Sequence, residues 1–187
     1  MKSFRILTIN PGSTSTKIAL YEDDRELGNH TQRYDLETLK RLPNVLNQRE
    51  MRLEAIHKVL EERGRTLREI DAFVGRGGLM APVRGGTYTV NAAMAADLLS
   101  GRYGIHASNL GALLARDLAD EAGGKEAFTV DPVVVDEMIP EARLSGFPEI
   151  ERRSIFHALN HKAIGRRAAA DLGKAYEKCH LVVAHLG

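Results

Sequence analysis

The stretch RILTINPGSTSTKIALYE, residues 5–22, decides how the rest of the chain is read. Two short apolar runs, Ile6-Leu7-Thr8-Ile9 and Ile18-Ala19-Leu20-Tyr21, have strand length and β-branched content. Asn10, Pro11 and Gly12 between them supply turn chemistry, which predicts a β-hairpin. A hairpin needs only a residue or two that tolerates positive φ. This one carries four hydroxyls, Ser13 to Thr16, and then Lys17. Such a loop is either a hydroxyl-rich hairpin or a cradle in which backbone N–H groups, hydroxyls and a lysine converge on an anion. It is not a Walker A loop, because Gly-Lys-Ser/Thr occurs nowhere in the sequence.

Working outward, residues 25–35 suit a third antiparallel strand, and 36–48 are polar and irregular. Leu53, Ile56 and Leu60 share one face of a helix over 49–63, ended by Gly64. A short helix at 67–70 leads into a buried strand at 72–74 that stops at glycines. Asn91 can cap a helix through Leu99 with Gly101 past its end, and Ser108 can cap another through Ala122, with Leu110, Leu113, Leu114 and Leu118 inward. A strand ends on Asp131-Pro132, a helix with a solvated basic face (Lys162, Arg166, Arg167) spans 158–172, and HLVVAHLG reads as a last apolar strand. Asp136 and Glu137 read as solvated. Three meandering strands followed by alternating helices and strands predict an α/β protein, a sheet with helices packed on it. In such sheets reactive groups gather at the carboxyl ends of strands, here Asn10, Arg76, Asp131 and His185.

The composition bounds the function without naming it. With 187 residues, 43% of them hydrophobic and 27% charged, the chain has length for one substantial core or two small ones. A formal net charge of +1 gives no global bias toward nucleic acid. The single cysteine, Cys179, allows no internal disulfide and suits a reducing, cytoplasmic setting. The first residues are too weakly apolar for a signal-peptide core, and no run is long enough to span a bilayer.

Four further motifs carry chemistry. In 75-GRGGLMAPVRGGTY-88, Arg76 sits beside two glycines; its fork can grip a carboxylate or phosphate, or it can be a solvated arginine in a glycine-rich loop. In 104-GIHASNLG-111, His106 precedes a helix start, where anions are favoured, or is merely exposed. In 128-FTVDPVVVDEM-138, Asp131 suits water-mediated Mg²⁺ binding or simply starts an Asp-Pro turn. In 152-RRSIFHALNHKAIGRRAA-169, His157 and His161 have metal-ligand spacing, but no third ligand is evident nearby.

Together these motifs resemble the acetokinase family of carboxylate kinases, within the actin/sugar-kinase/heat-shock-chaperone superfamily. Asn-x-Gly-Ser-x-Ser-x-Lys at 10–17 resembles its first phosphate loop; most of the superfamily has Asp where this chain has Asn10. Arg-Arg-x-x-Phe-His-x-x-x-His-Lys from Arg152 resembles its signature before a helix, and Gly77-Gly78 after Arg76 resembles the butyrate-kinase branch. VAHLG at 183–187 resembles the start of the second phosphate loop. The resemblance implies a ribonuclease-H-like (actin-like ATPase) fold, with a mixed five-stranded sheet flanked by helices. It implies that residues 1–187 form the family's N-terminal domain, the second nucleotide-binding domain being absent from this sequence. It implies phosphoryl transfer between ATP and butyrate or a branched short-chain acid, with ATP/ADP and Mg²⁺ as cofactors, no nucleic acid or membrane, and a homo-oligomer for the complete enzyme.

Carried over residue by residue, the resemblance gives Arg76, Asp131 and His157 the catalytic roles. Gly12, Ser13, Ser15, Lys17, His185 and Gly187 hold phosphates; Asn10 and Asp131 organise the metal. Arg76, Gly77, Gly78, Ile105, His106 and Phe156 bind the acid, and Asn10, Arg76, Asp131 and His157 are expected to converge on one cleft. Two other readings remain open: another superfamily ATPase, which would want Asp at position 10, and a non-catalytic half-protein that binds acids or phosphate.

Overall fold

The alternation at the start of the chain is realised as a strand. In a computed structural model that describes residues 3–185, Leu7, Ile9 and Pro11 of β1 (Arg5–Pro11) are buried while Asn10 is exposed. The Gly12 N–H donates to the Ser15 carbonyl at 2.7 Å and closes the turn. Strand β2 (Ser15–Glu22) returns antiparallel with Lys17 opposite Asn10, so the expected hairpin is present. Strand β3 (Arg25–Arg33) adds antiparallel to β2. Next come α1 (Leu36–Lys40), a 3₁₀ turn at Val45–Gln48 and α2 (Arg49–Glu62). Strand β4 (Ala72–Gly75) then pairs parallel with β1, setting Gly75 opposite Ile9.

After β4 follow β5 (Thr87–Thr89), α3 (Ala92–Ser100), α4 (Asn109–Glu121) and β6 (Glu126–Val130). β6 lies parallel to β4, with β5 antiparallel at its far edge, giving the order β3-β2-β1-β4-β6-β5. The sheet therefore has six strands, one more than the resemblance implies. The extra strand, Thr87-Tyr88-Thr89, is too short to show a period of its own.

Helix α4 lies against β1, β4 and β6 and is the centre of the core. Leu110, Leu113, Leu114 and Leu118 are buried as predicted, and so are Gly111, Ala112, Ala115 and Ala119. Helix α3 begins as read: Asn91 Oδ1 accepts from Met94 N at 2.9 Å, and Gly101 ends it at φ 66°. Helix α4 does not. The Ser108 side chain makes no capping bond; its hydroxyl lies 2.9 Å from Nδ1 of His106, which also accepts the Ser108 N–H at 3.2 Å. On α2, Ile56 and Leu60 are buried but Leu53 is only half-buried, and Arg52 is wholly buried beside them.

The chain falls into two compact units. The first is built from the chain up to Ala81 with Gly86–Val130; the second comprises Pro82–Gly85 and the chain from Asp131 onward. In the second, Val83 bridges Val135, with Asp136 N donating to Val83 O at 2.8 Å. Helices α5 (Pro140–Arg143) and α6 (Ala158–Asp171) follow. α6 has the predicted extent, but its basic face is not simply solvated: Lys162 pairs with Glu137 at 2.8 Å and Arg166 with Asp131 at 3.6 Å. Asp136, likewise read as solvated, pairs with Arg143 at 2.8 Å. No strand forms over residues 180–185, because an apolar run becomes a strand only where a neighbour completes its ladder. Among the described residues no helix is long and apolar enough to cross a membrane.

Candidate active site

Two groups of functional side chains can be built up, one in each compact unit. In the first unit, the parallel pairing of β1 with β4 is extended by a bond from Arg76 N to Ile9 O at 3.0 Å. This sets Arg76 beside Asn10, and Arg76 Nη1 donates to Asn10 Oδ1 across 3.4 Å. The Arg76 guanidinium is half-buried, and that burial lowers its pKa from the ordinary arginine value. It remains a cation, since arginine does not lose its proton in proteins. Among the described residues no carboxylate pairs with it. A half-buried cation without an anion is ready for an anionic ligand.

The glycines around Arg76 have a packing reason. A Cβ on Gly75 would collide with the backbone of Gly111, and one on Gly111 with the backbone of Arg76. A Cβ on Gly78 would collide with Asn109. The first turn of α4 thus meets the end of β4 backbone to backbone. Asn109, buried and unremarked in the sequence, locks the approach: Oδ1 accepts from Leu79 N at 2.9 Å, and Nδ2 donates to Gly104 O at 3.0 Å and Leu98 O at 3.2 Å. Gly77 is buried next to Gly78. Ile105 and His106 lie exposed just before α4.

In the 12–17 turn, Ser13, Thr14 and Lys17 are exposed, Gly12 and Ser15 half-buried, and Thr16 fully buried. The hydroxyls therefore divide. Thr16 Oγ1 faces inward and accepts from Arg52 at 2.8 Å and from the Tyr34 hydroxyl at 3.1 Å. Among the described residues no hydrogen bond engages the N–H of Ser13 or Thr14.

The second unit holds Asp131, Phe156, His157 and His185; Gly187 lies outside the described residues. Asp131 is 3% exposed and adopts φ 39°, a left-handed conformation rare for residues other than glycine. It stops β6 abruptly and buries its carboxylate, with Arg166 as counter-cation. Phe156 is half-buried, its N–H bonded to Val133 O at 3.1 Å, and its ring meets His161 edge-on at 5.3 Å. His157 is the residue before α6, as its spacing suggests. Its Nδ1 lies 2.9 Å from Nε2 of His185, whose Nδ1 lies 3.0 Å from Asn160 Oδ1.

His161 stacks on His185 at 5.8 Å, yet among the described residues no three metal-ligating side chains converge. The candidate metal residues are instead hard oxygen donors, Asn10 and Asp131, the kind Mg²⁺ uses sparingly while keeping its waters.

No family model matches the chain. It is 53% identical over 185 residues to a probable butyrate kinase of Listeria innocua, a match covering 99% of this chain and 52% of that protein. Butyrate kinase 2 of Clostridium acetobutylicum is 50% identical over 184 residues, covering 98% of this chain and 51% of that protein. Among solved structures, Porphyromonas gingivalis acetate kinase superposes with a TM-score of 0.65 at 18% identity, over 94% of this chain and 50% of that one. The chain is thus a homologue of proteins named butyrate kinase, spans about half their length, and has the actin-like ATPase fold of an acetate kinase.

Proposed function

We propose that the chain supplies the acid-binding and part of the phosphate-binding machinery of a short-chain carboxylate kinase acting on butyrate or a branched acid of similar size. The observation that carries this reading is Arg76: a half-buried cation, without a carboxylate partner among the described residues, held beside Asn10 at the end of the sheet that also bears the 12–17 turn. In the reaction a carboxylate oxygen attacks the γ-phosphorus of ATP. The bond to the β–γ bridging oxygen breaks, its electron pair leaves with ADP, and an acyl phosphate forms.

A short-chain carboxylic acid, with pKa of about 4–5, is already ionised at neutral pH, so no general base is needed. The need is to cancel charge as an anion approaches a polyanion. At ~4 Å two unit charges repel by about 4 kcal/mol at an effective dielectric of ~20. Arg76 and His157 offset that repulsion and spread the charge of a loose transition state. Ser13, Ser15 and Lys17, with Gly12, hold phosphate oxygens, and His185 and Gly187 extend that role; His106 supports a phosphoryl oxygen. Ile105, Phe156, Gly77 and Gly78 shape the space for the alkyl chain. Asn10 and Asp131 orient water around Mg²⁺. Bound Mg²⁺ supplies charge neutralisation on the phosphates. The single cysteine suits a cytoplasmic enzyme, and a homo-oligomer is the expected assembly.

Trapping acyl phosphate with hydroxylamine, in a polypeptide of the relatives' full length that carries this sequence, tests the proposal. Butyrate plus ATP should give hydroxamate, with kcat/KM for butyrate at least tenfold above that for acetate. Arg76→Ala should cost about 3–4 kcal/mol of transition-state stabilisation. Near-normal turnover by that variant removes Arg76 from the mechanism. Equal efficiency on acetate removes the butyrate assignment alone.

A further inference from the structure

Arg52 lies on α2, in a helix whose apolar spacing gives no hint of it, and is 0% exposed. Every N–H of its guanidinium is spent. Nε and Nη2 donate to Gln48 Oε1 at 3.2 and 2.7 Å; Nη2 also donates to Gly12 O at 2.9 Å. Nη1 donates to Ser15 O at 2.9 Å and Thr16 Oγ1 at 2.8 Å. All of these acceptors are neutral. The Tyr34 ring lies 4.8 Å from Cζ, and among the described residues no carboxylate pairs with this cation. Burying an unpaired charge is expensive, and arginine cannot escape by losing its proton.

The carbonyls that Arg52 holds are those at the two ends of the 12–15 turn, and Ser15 O also accepts the Gly12 N–H that closes it. In a trans peptide the C=O and the following N–H point opposite ways. Drawing Gly12 O onto Arg52 therefore turns the Ser13 N–H away from Arg52, and that N–H, like Thr14's, has no partner among the described residues. The fork shapes the turn, and its charge lies behind it.

We propose that Arg52 is the positioning residue of this turn: its five donors fix the Gly12 and Ser15 carbonyls inward and thereby the Ser13 donor outward, and its unneutralised charge is met by the oxyanions of a bound polyphosphate chain. This rests on the reading of residues 12–17 as a phosphate loop. It adds a partner that does not touch the ligand and sits some forty residues further along the sequence.

The test uses the 187-residue chain and inorganic tripolyphosphate, followed by ¹H–¹⁵N NMR. In the unaltered chain, titration should shift the amides of Ser13 and Thr14 and, with the same midpoint, the side-chain Nε–H of Arg52. Arg52→Lys keeps the charge and loses the fork; Arg52→Gln loses both. Folded Arg52→Lys should bind at least tenfold more weakly with its salt dependence retained, and Arg52→Gln should lose binding and salt dependence together. A purely structural arginine would lower the melting temperature of both variants and leave the affinity of the folded protein unchanged.

The outcomes separate. If tripolyphosphate shifts none of the 12–17 amides in the unaltered chain, the phosphate-loop reading fails and takes the proposal with it. If those amides shift and Lys17→Ala weakens binding, while the Arg52 Nε–H stays still or folded Arg52→Lys binds normally, the loop reading stands and the role of Arg52 is overturned. Should both variants fail to fold, the Nε–H response of the unaltered chain decides.

Discussion

Asp131 combines two costs that natural proteins rarely accept at one position, a buried carboxylate and a left-handed backbone at φ 39°. Asn tolerates that conformation almost as well as Asp, whereas Ala has no local hydrogen bond to offset it. Asp131→Asn should therefore stay folded and lose acyl-phosphate formation in the full-length context. Asp131→Ala should lose the same activity and also be less stable by about 1 kcal/mol. Paired denaturant titrations check the difference; equal stability of the two variants would mean the backbone stores no strain. Asp131 was legible in the sequence because a strand ending on Asp-Pro is a local signal. Arg52 was not. Arginines on amphipathic helices are mostly exposed, and its key acceptors are backbone carbonyls far back in the chain, which no side-chain pattern marks.

At the level of elements, the meeting of β4 with α4 is coded by missing side chains. Gly111→Ala would drive a methyl into the backbone of Arg76, and overpacking of this kind costs about 1–3 kcal/mol or more. The variant should melt earlier, and because the collision is with Arg76 itself, it should weaken acid binding even where it remains folded. Helix α6 depends on charge instead. Lys162, with the Gly85 N–H, holds the Glu137 carboxyl below its ordinary 4.5. A depressed folded-state pKa means stability that is present above the unfolded value and lost as pH falls through the folded one. The second unit should therefore loosen on acidification below about pH 4.5, and Glu137→Gln should flatten that limb of a melting-temperature profile. The sequence located α3, α4 and α6 because their spacing and stops are local. On the basic face of α6 it missed the pairing of Lys162, since whether a lysine meets a carboxylate depends on a loop that folds back from elsewhere, while Arg166 and Arg167 are exposed as read. Its apolar composition also suggests a strand over residues 180–187, but over the described part, 180–185, no neighbour pairs with it.

For the molecule as a whole, the two compact units differ in what they leave uncovered. In the second, Ile139, Leu144, Phe147, Ile150 and Ile155 are each at least 58% exposed within a short span of sequence. Exposed apolar surface on this scale drives association. The 187-residue chain should self-associate as its concentration rises in sedimentation velocity, and Phe147→Asp with Ile150→Lys should restore the monomer; a monomer at every concentration would refute this. The sheet order has a different consequence, for the order of assembly in time. Its first three strands are joined by tight turns and can pair within microseconds of collapse. The strands beyond β1 cannot: Ile6 waits for Ala72, and Ala72 for Glu126, each across a long intervening loop whose entropy must be lost before any contact rewards it. The hairpin that carries the 12–17 turn thus exists before the strand that delivers Arg76. The rate at which a newly made chain becomes competent is set by parallel pairing, not by the turn.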